Sequence, residues 1–130
     1  MTAILVVDDD RDVRDMLQRL LERAHYETAT AEDGKQALRM FQDKAYDVVI
    51  TDILMPEKEG IETIIELRKL YSKLKIIAIS GGGRGDAVHY LQVAKAFGAD
   101  RTMSKPFECN DMLQTIRELT TQTPSIIGPV

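Results

Sequence analysis

Asp8-Asp9-Asp10 follows the apolar run Ile4-Leu5-Val6-Val7, and Asp52 follows Val48-Val49-Ile50-Thr51. Ser80 follows Ile76 to Ile79, and Lys105 follows Ser104 and directly precedes Pro106. Each group stands where an apolar run stops, so the groups meet if those runs lie side by side. Three carboxylates within about 4–5 Å of one another repel by on the order of 1 kcal/mol per pair in water, and by several times that in a cleft. Either one acid keeps a proton or a cation sits among them. Lys105 supplies one positive charge, which cannot balance three acids. An oxygen-only donor set suits a hard divalent ion, and magnesium keeps several waters while using one or two carboxylates. The expected chemistry is an open, incomplete magnesium site, with manganese as a substitute, whose remaining positions receive a phosphoryl oxygen. Asp10 reads differently, as the N-cap of the helix that follows; a cap needs one acid and leaves Asp8 and Asp9 to the metal.

Five short β-like runs alternate with five helix-like stretches. The runs are Ala3 to Val7, Thr28 to Ala31, Val48 to Thr51, Ile76 to Ile79 and a weaker one from Arg101 to Ser104. The first helix carries Val13, Met16, Leu17, Leu20, Leu21 and Ala24 at helical spacing. The second follows Asp33-Gly34 with Ala37, Leu38 and Phe41 inward, and the third carries Ile61, Ile64 and Ile65. The fourth spans roughly Ala87 to Phe97 and ends at Gly98. The fifth starts near Glu108 or Asn110 and buries Met112, Leu113, Ile116 and Leu119. Strand and helix in alternation imply a parallel sheet covered on both faces. In such sheets ligands bind beyond the carboxyl ends of the strands, where the strand order reverses. That rule points to Asp8, Asp52, Ser80 and Lys105 together.

The chain has 130 residues, enough for one domain, expected over residues 1–121 with a flexible tail at 122–130. No run of about 18 apolar residues offers a membrane span, and the start lacks the basic flank of a secretory leader. A cytoplasmic location is expected. The single cysteine, Cys109, excludes an intramolecular disulfide and a cysteine-built metal cluster; it reads as a small packing residue. A formal net charge of −4 disfavours direct nucleic-acid binding. His25 and His89 read as isolated surface residues on helical stretches.

These motifs resemble the receiver domain of response regulators in two-component signalling, from about Ile4 to Leu119. The resemblance rests on Ile4 to Asp10, on Asp47 to Pro56 with Gly60, on Ile79-Ser80 and on Ser104-Lys105-Pro106-Phe107. It implies a flavodoxin-like, doubly wound α/β fold with a five-stranded parallel sheet of order 2-1-3-4-5 and five helices. It implies a single-domain switch that accepts a phosphoryl group on Asp52 from a sensor histidine kinase or a histidine phosphotransfer protein. Asp9 and Asp52 would bind magnesium directly, Asp8 through a water, and the Leu54 backbone carbonyl would add an oxygen. Lys105 would pair with Asp52 at rest and with phosphoryl oxygens afterwards, and Ser80 would donate to one of them. A cis Lys105–Pro106 bond is implied too. So is output to a protein target through the fourth helix, fifth strand and fifth helix, a face that could also form a homodimer. No enzymatic turnover is expected beyond slow self-dephosphorylation.

Two departures stand out. The position three before the lysine is often aromatic in this family and holds Thr102 here, so switch coupling through a moving ring is not expected. The stretch Gly81-Gly82-Gly83-Arg84-Gly85 is unusual after Ser80; it lacks the lysine pattern of a phosphate-binding loop and reads as a flexible connection that tunes phosphate lifetime. Rival readings fare worse. An FMN binder of the same topology would present three acids to the cofactor phosphate. An aspartyl-nucleophile phosphatase would need an acid at Leu54. A pseudo-receiver would not need the full set of acids, serine and lysine. A phosphorelay intermediate uses the same chemistry and stays open.

Overall fold

Every apolar run forms a strand in the computed structural model, which describes residues 1–53, 59–81 and 87–121, the side chains of 59 and 87–91 aside. In chain order the elements are β1 (Ala3–Val7), α1 (Arg11–Arg23), β2 (Glu27–Ala31), α2 (Gly34–Asp43) and β3 (Val48–Asp52). They continue with α3 (Glu59–Leu70), β4 (Lys75–Gly81), α4 (Ala87–Ala96), β5 (Arg101–Lys105) and α5 (Cys109–Thr120). All neighbouring strands are parallel, in the order β2-β1-β3-β4-β5. This is the doubly wound α/β fold expected from the sequence. The order reverses beside β1, so the crevice lies beyond the carboxyl ends of β1 and β3.

The sheet is covered on both faces because its strand residues alternate sides. Leu5, Val7, Val49, Ile76 and Ala78 pack with Phe41, Ile64, Leu67 and Ala94 of α2, α3 and α4. Ile4, Val6, Val48, Ile50, Ile77 and Ile79 pack with Leu17 and Leu21 of α1 and Met112, Ile116 and Leu119 of α5. Each large aliphatic side chain buried this way contributes about 1.5–3 kcal/mol. β1 and β3 are buried at every position. β5, at the edge, is half-buried at most positions, which accounts for its weaker apolar signal.

Local signals set the helix ends. Asp10 caps α1, its side chain accepting from the Asp12 N–H, and Asp33 caps α2 by accepting from Gln36. After α4 the backbone turns at Gly98, with φ +130°, so that the Ala99 N–H reaches back to the Ala94 carbonyl. A side chain is strained at that angle. Arg68 of α3 fastens the same corner. Its guanidinium donates to the carbonyls of Ser72, Leu74 and Gly98 and to Asp100 Oδ2 at 2.8 Å.

Two expectations are corrected, for Cys109 and His25, and the buried face of α1 is narrower than its apolar spacing. Met16 is 40% exposed, because the buried stripe of α1 is narrower than its apolar pattern and centres on Leu17 and Leu21. Cys109 is exposed, since the first turn of α5 lies at the surface. His25 is exposed but follows α1 with φ 69° instead of lying within the helix. His89's side chain and the tail at 122–130 lie outside the described residues.

Candidate functional site

The parallel register brings the sequence-predicted residues to one rim. Val7 pairs with Thr51, so Asp8 and Asp52 are the next residues on adjacent strands. Asp52 pairs with Ile79, putting Ser80 one step beyond it, and Gly81 pairs with Lys105. Carboxylate oxygens of Asp8, Asp9 and Asp52 all lie within 4.8 Å of one another. Asp8 is 0% and Asp52 5% exposed, whereas Asp9 faces solvent.

Lys105 bridges two of the acids. Its Nζ donates to Asp8 Oδ2 at 3.0 Å and to Asp52 Oδ2 at 3.3 Å. The resemblance implied Asp52 as its resting partner; Asp8 is the nearer of the two. The Lys105–Pro106 peptide bond is cis. Burial pulls the Lys105 amine towards neutrality, but the hydrogen bond to Asp8 and the two carboxylate charges outweigh it and hold its pKa above the ordinary lysine value. Asp8 is pushed the other way from an ordinary ion-paired acid. Burial raises its pKa, helped by the Asp52 charge, against the Asp10 N–H and Lys105, which lower it. Proton affinity raised at a buried acid beside two others marks charge that one lysine does not neutralise.

The donor set therefore fits a small, hard dication. It is oxygen-only, it is anionic beyond its lysine, and it leaves one member in water. Asp8 is tethered at both carboxylate oxygens, because Oδ1 accepts from the Asp10 N–H at 2.9 Å while Oδ2 accepts from Lys105. Its carbonyl oxygen accepts from Arg14 Nη1 at 2.8 Å, a contact the sequence reading missed. Nothing in the spacing of one arginine on an amphipathic helix sets it apart from solvated neighbours. The Ser80 hydroxyl is fully buried and has no hydrogen-bond partner among the described residues. A donor at a polar rim with nothing to bond suits an incoming acceptor oxygen.

Thr102 is half-buried and pairs with Ala78 near the amino end of β5, away from the rim. Leu54, Gly82 and Arg84 lie outside the described residues. No helix among the described residues is long and apolar enough to cross a membrane.

Known proteins resemble this chain in sequence and fold. The family model of the response regulator receiver domain matches residues 4–117. The transcriptional regulatory protein CpxR of Klebsiella pneumoniae subsp. pneumoniae (strain HS11286) is 35% identical over 119 residues, covering 92% of this chain and 49% of that protein. The response regulator MprA of Mycobacterium sp. (strain KMS) is 35% identical over 126 residues, covering 97% of this chain and 54% of MprA. The chain thus spans about half the length of these curated relatives. Among solved structures, a response regulator receiver domain protein from Clostridium thermocellum superposes with a TM-score of 0.86 at 28% identity, covering 98% of this chain and 100% of that one. The response regulator protein TrrA from Thermotoga maritima, solved in complex with Mg(2+)-BeF, gives a TM-score of 0.80 at 35% identity, covering 92% of this chain and 99% of that one. With the fold, the acidic rim and these matches in agreement, the chain belongs to the response regulator receiver domain family.

Proposed function

We propose that the chain is a phosphorylation switch in which Asp52 accepts a phosphoryl group from a phosphohistidine on a sensor kinase or phosphotransfer protein. The observation that carries this reading is the meeting of Asp8, Asp9 and Asp52 around one lysine at the carboxyl end of the sheet. An Asp52 carboxylate oxygen attacks phosphorus as the bond from phosphorus to the donor's imidazole nitrogen breaks. The electron pair of that bond stays on the imidazole, and the product is an aspartyl phosphate. Such transfers depend on positioning and charge neutralisation more than on acid–base chemistry. Asp9 and Asp52 would hold a magnesium ion directly and Asp8 through a water; bound there, the ion would offset the negative charge gathered by the acids and the phosphoryl group.

Lys105 already sits between Asp8 and Asp52 and can turn to the phosphoryl oxygens as they arrive. The buried Ser80 hydroxyl, which has no partner among the described residues, donates to one of those oxygens. Moving Ser80 biases β4 and the adjoining α4, β5 and α5, the face offered to a downstream protein in the cytoplasm. Thr102 leaves this coupling without a large ring to displace. The chain is a phosphoacceptor, with self-dephosphorylation as its only turnover.

The test is intact mass measurement after incubation with magnesium and a small phosphodonor such as acetyl phosphate. A single added phosphoryl group that vanishes in Asp52→Asn and in excess chelator supports the reading. An unmodified Asp52, or steady hydrolysis of simple phosphomonoesters, overturns it.

A further inference from the structure

We infer that Arg14 is a positioning residue for the metal site, holding the Asp8–Asp9 peptide so that Asp9 presents its carboxylate to the other two acids. This rests on the proposed function, which supplies the reason for Asp9 to be aimed at all. Arg14 lies on the first turns of α1, half-buried, and its Nη1 donates to the backbone carbonyl oxygen of Asp8 at 2.8 Å. That carbonyl belongs to the peptide unit joining Asp8 to Asp9, so its direction fixes where the chain places Asp9.

The rest of the turn shows why this bond matters. Asp8 is fastened at every polar atom: its N–H donates to the Ala31 carbonyl, Oδ1 accepts from Asp10, Oδ2 accepts from Lys105, and its carbonyl accepts from Arg14. Asp10 is fastened as well, its side chain to the Asp12 N–H and its carbonyl to the Arg14 N–H at 3.1 Å. Arg14 therefore grips the turn twice, by backbone at Asp10 and by side chain at Asp8, with Asp9 between the two grips. The exposed Asp9 carboxylate has no hydrogen-bond donor among the described residues, yet one of its oxygens lies within 4.8 Å of its two partners'. The direction of its backbone is what keeps it there.

Charge and position act with opposite signs, which makes the idea testable. A guanidinium beside a dication site repels the ion, so if Arg14 acted only as a charge, removing it would tighten magnesium binding. If it positions Asp9, removing it weakens binding. Titration calorimetry of the phosphate-free protein with magnesium alone gives the sign directly. Arg14→Met is expected to weaken binding about tenfold, the lower end of what outer partners of a metal site usually cost. Arg14→Lys, which keeps the charge but reaches less far, falls between it and wild type. Arg19→Met, which removes a positive charge from an exposed position on the same helix, leaves affinity unchanged or slightly tighter.

Amide exchange of the metal-free protein supplies a second reading, with the Asp9 and Asp10 N–H groups exchanging faster in Arg14→Met while the strands stay protected. Arg14→Met binding magnesium as tightly as wild type, or more tightly, overturns the inference. Should Arg14→Met fail to fold, Arg14→Lys decides: weaker binding at an unchanged Tm supports the inference, and unchanged binding overturns it. Wild-type protein that takes up no magnesium is a different failure, since it removes the functional reading on which the inference stands.

Discussion

A Cβ placed on Gly60 would fall 2.4 Å from the carbonyl oxygen of Asp52 and equally close to Ile53 Cα. α3 therefore begins in hard contact with the backbone that carries the proposed phosphoacceptor. Only a residue without a side chain allows this approach, and the atoms it meets are main chain, which cannot swing aside.

Gly60→Ala must push α3 away from β3 or shift Asp52. We expect a loss of about 2 kcal/mol, typical of overpacking a filled site, together with slower phosphoryl uptake at Asp52. Urea denaturation and the rate of mass gain from acetyl phosphate measure the two effects. Unchanged values for both would mean that α3 can retreat freely.

Asp8 gives a pH-dependent outcome. Burial, aided by the Asp52 charge, holds its folded pKa above the ordinary value, so the folded chain binds this proton more tightly than the unfolded chain. Its ionisation therefore opposes folding: the penalty is absent below the unfolded value of about 3.9, grows as pH rises through the folded value, and is complete above it. Metal-free Asp8→Asn should be more stable than wild type at pH 7, by on the order of 1 kcal/mol. The advantage should shrink as pH approaches the unfolded value. Thermal melts in chelator across that range check it, and a variant less stable than wild type at pH 7 would contradict it.

Ser80→Ala separates stability from switching. The hydroxyl is buried without a partner among the described residues, so deleting it should change stability by less than about 1 kcal/mol in either direction. The same change should blunt the amide chemical-shift response of β4 and β5 to beryllofluoride with magnesium. A full response in Ser80→Ala would remove Ser80 from the switch.

Arg68→Ala should do the reverse. It strands the carbonyls of Leu74 and Gly98 and leaves Asp100 without its cation. We expect a loss of about 2 kcal/mol, less than a fully buried ion pair would cost because both side chains are partly exposed. Phosphoryl uptake per folded molecule, measured well below the Tm, should stay as in wild type.

What could be read in advance followed from how each residue earns its place. Buried strands write themselves as apolar runs, so the ends of β1, β3 and β4 were legible, and with them Asp8, Asp52 and Ser80. β5 was faint because an edge strand needs few apolar residues, and Lys105 was found through its neighbour Pro106 and the family resemblance. The exposure of Met16 was not legible, because apolar spacing gives the direction of a helix face but not its width. Arg14 and Arg68 were invisible for a different reason. Both act largely through carbonyl oxygens, which every residue carries, and the one side-chain pair among these contacts, Arg68 with Asp100, joins residues 32 positions apart. The order of Lys105's two partners was equally hidden, since it depends on tenths of an ångström between strands far apart in sequence.

The Arg68 corner lies at the amino ends of β4 and β5, the opposite edge of the sheet from the acids. Natural variants of this chain should accordingly sort by geography. Changes along one border would leave a sturdy protein deaf to its signal, and changes along the other a fragile protein that still hears it. Second-site suppressors that merely restore robustness would rescue the latter group and never the former.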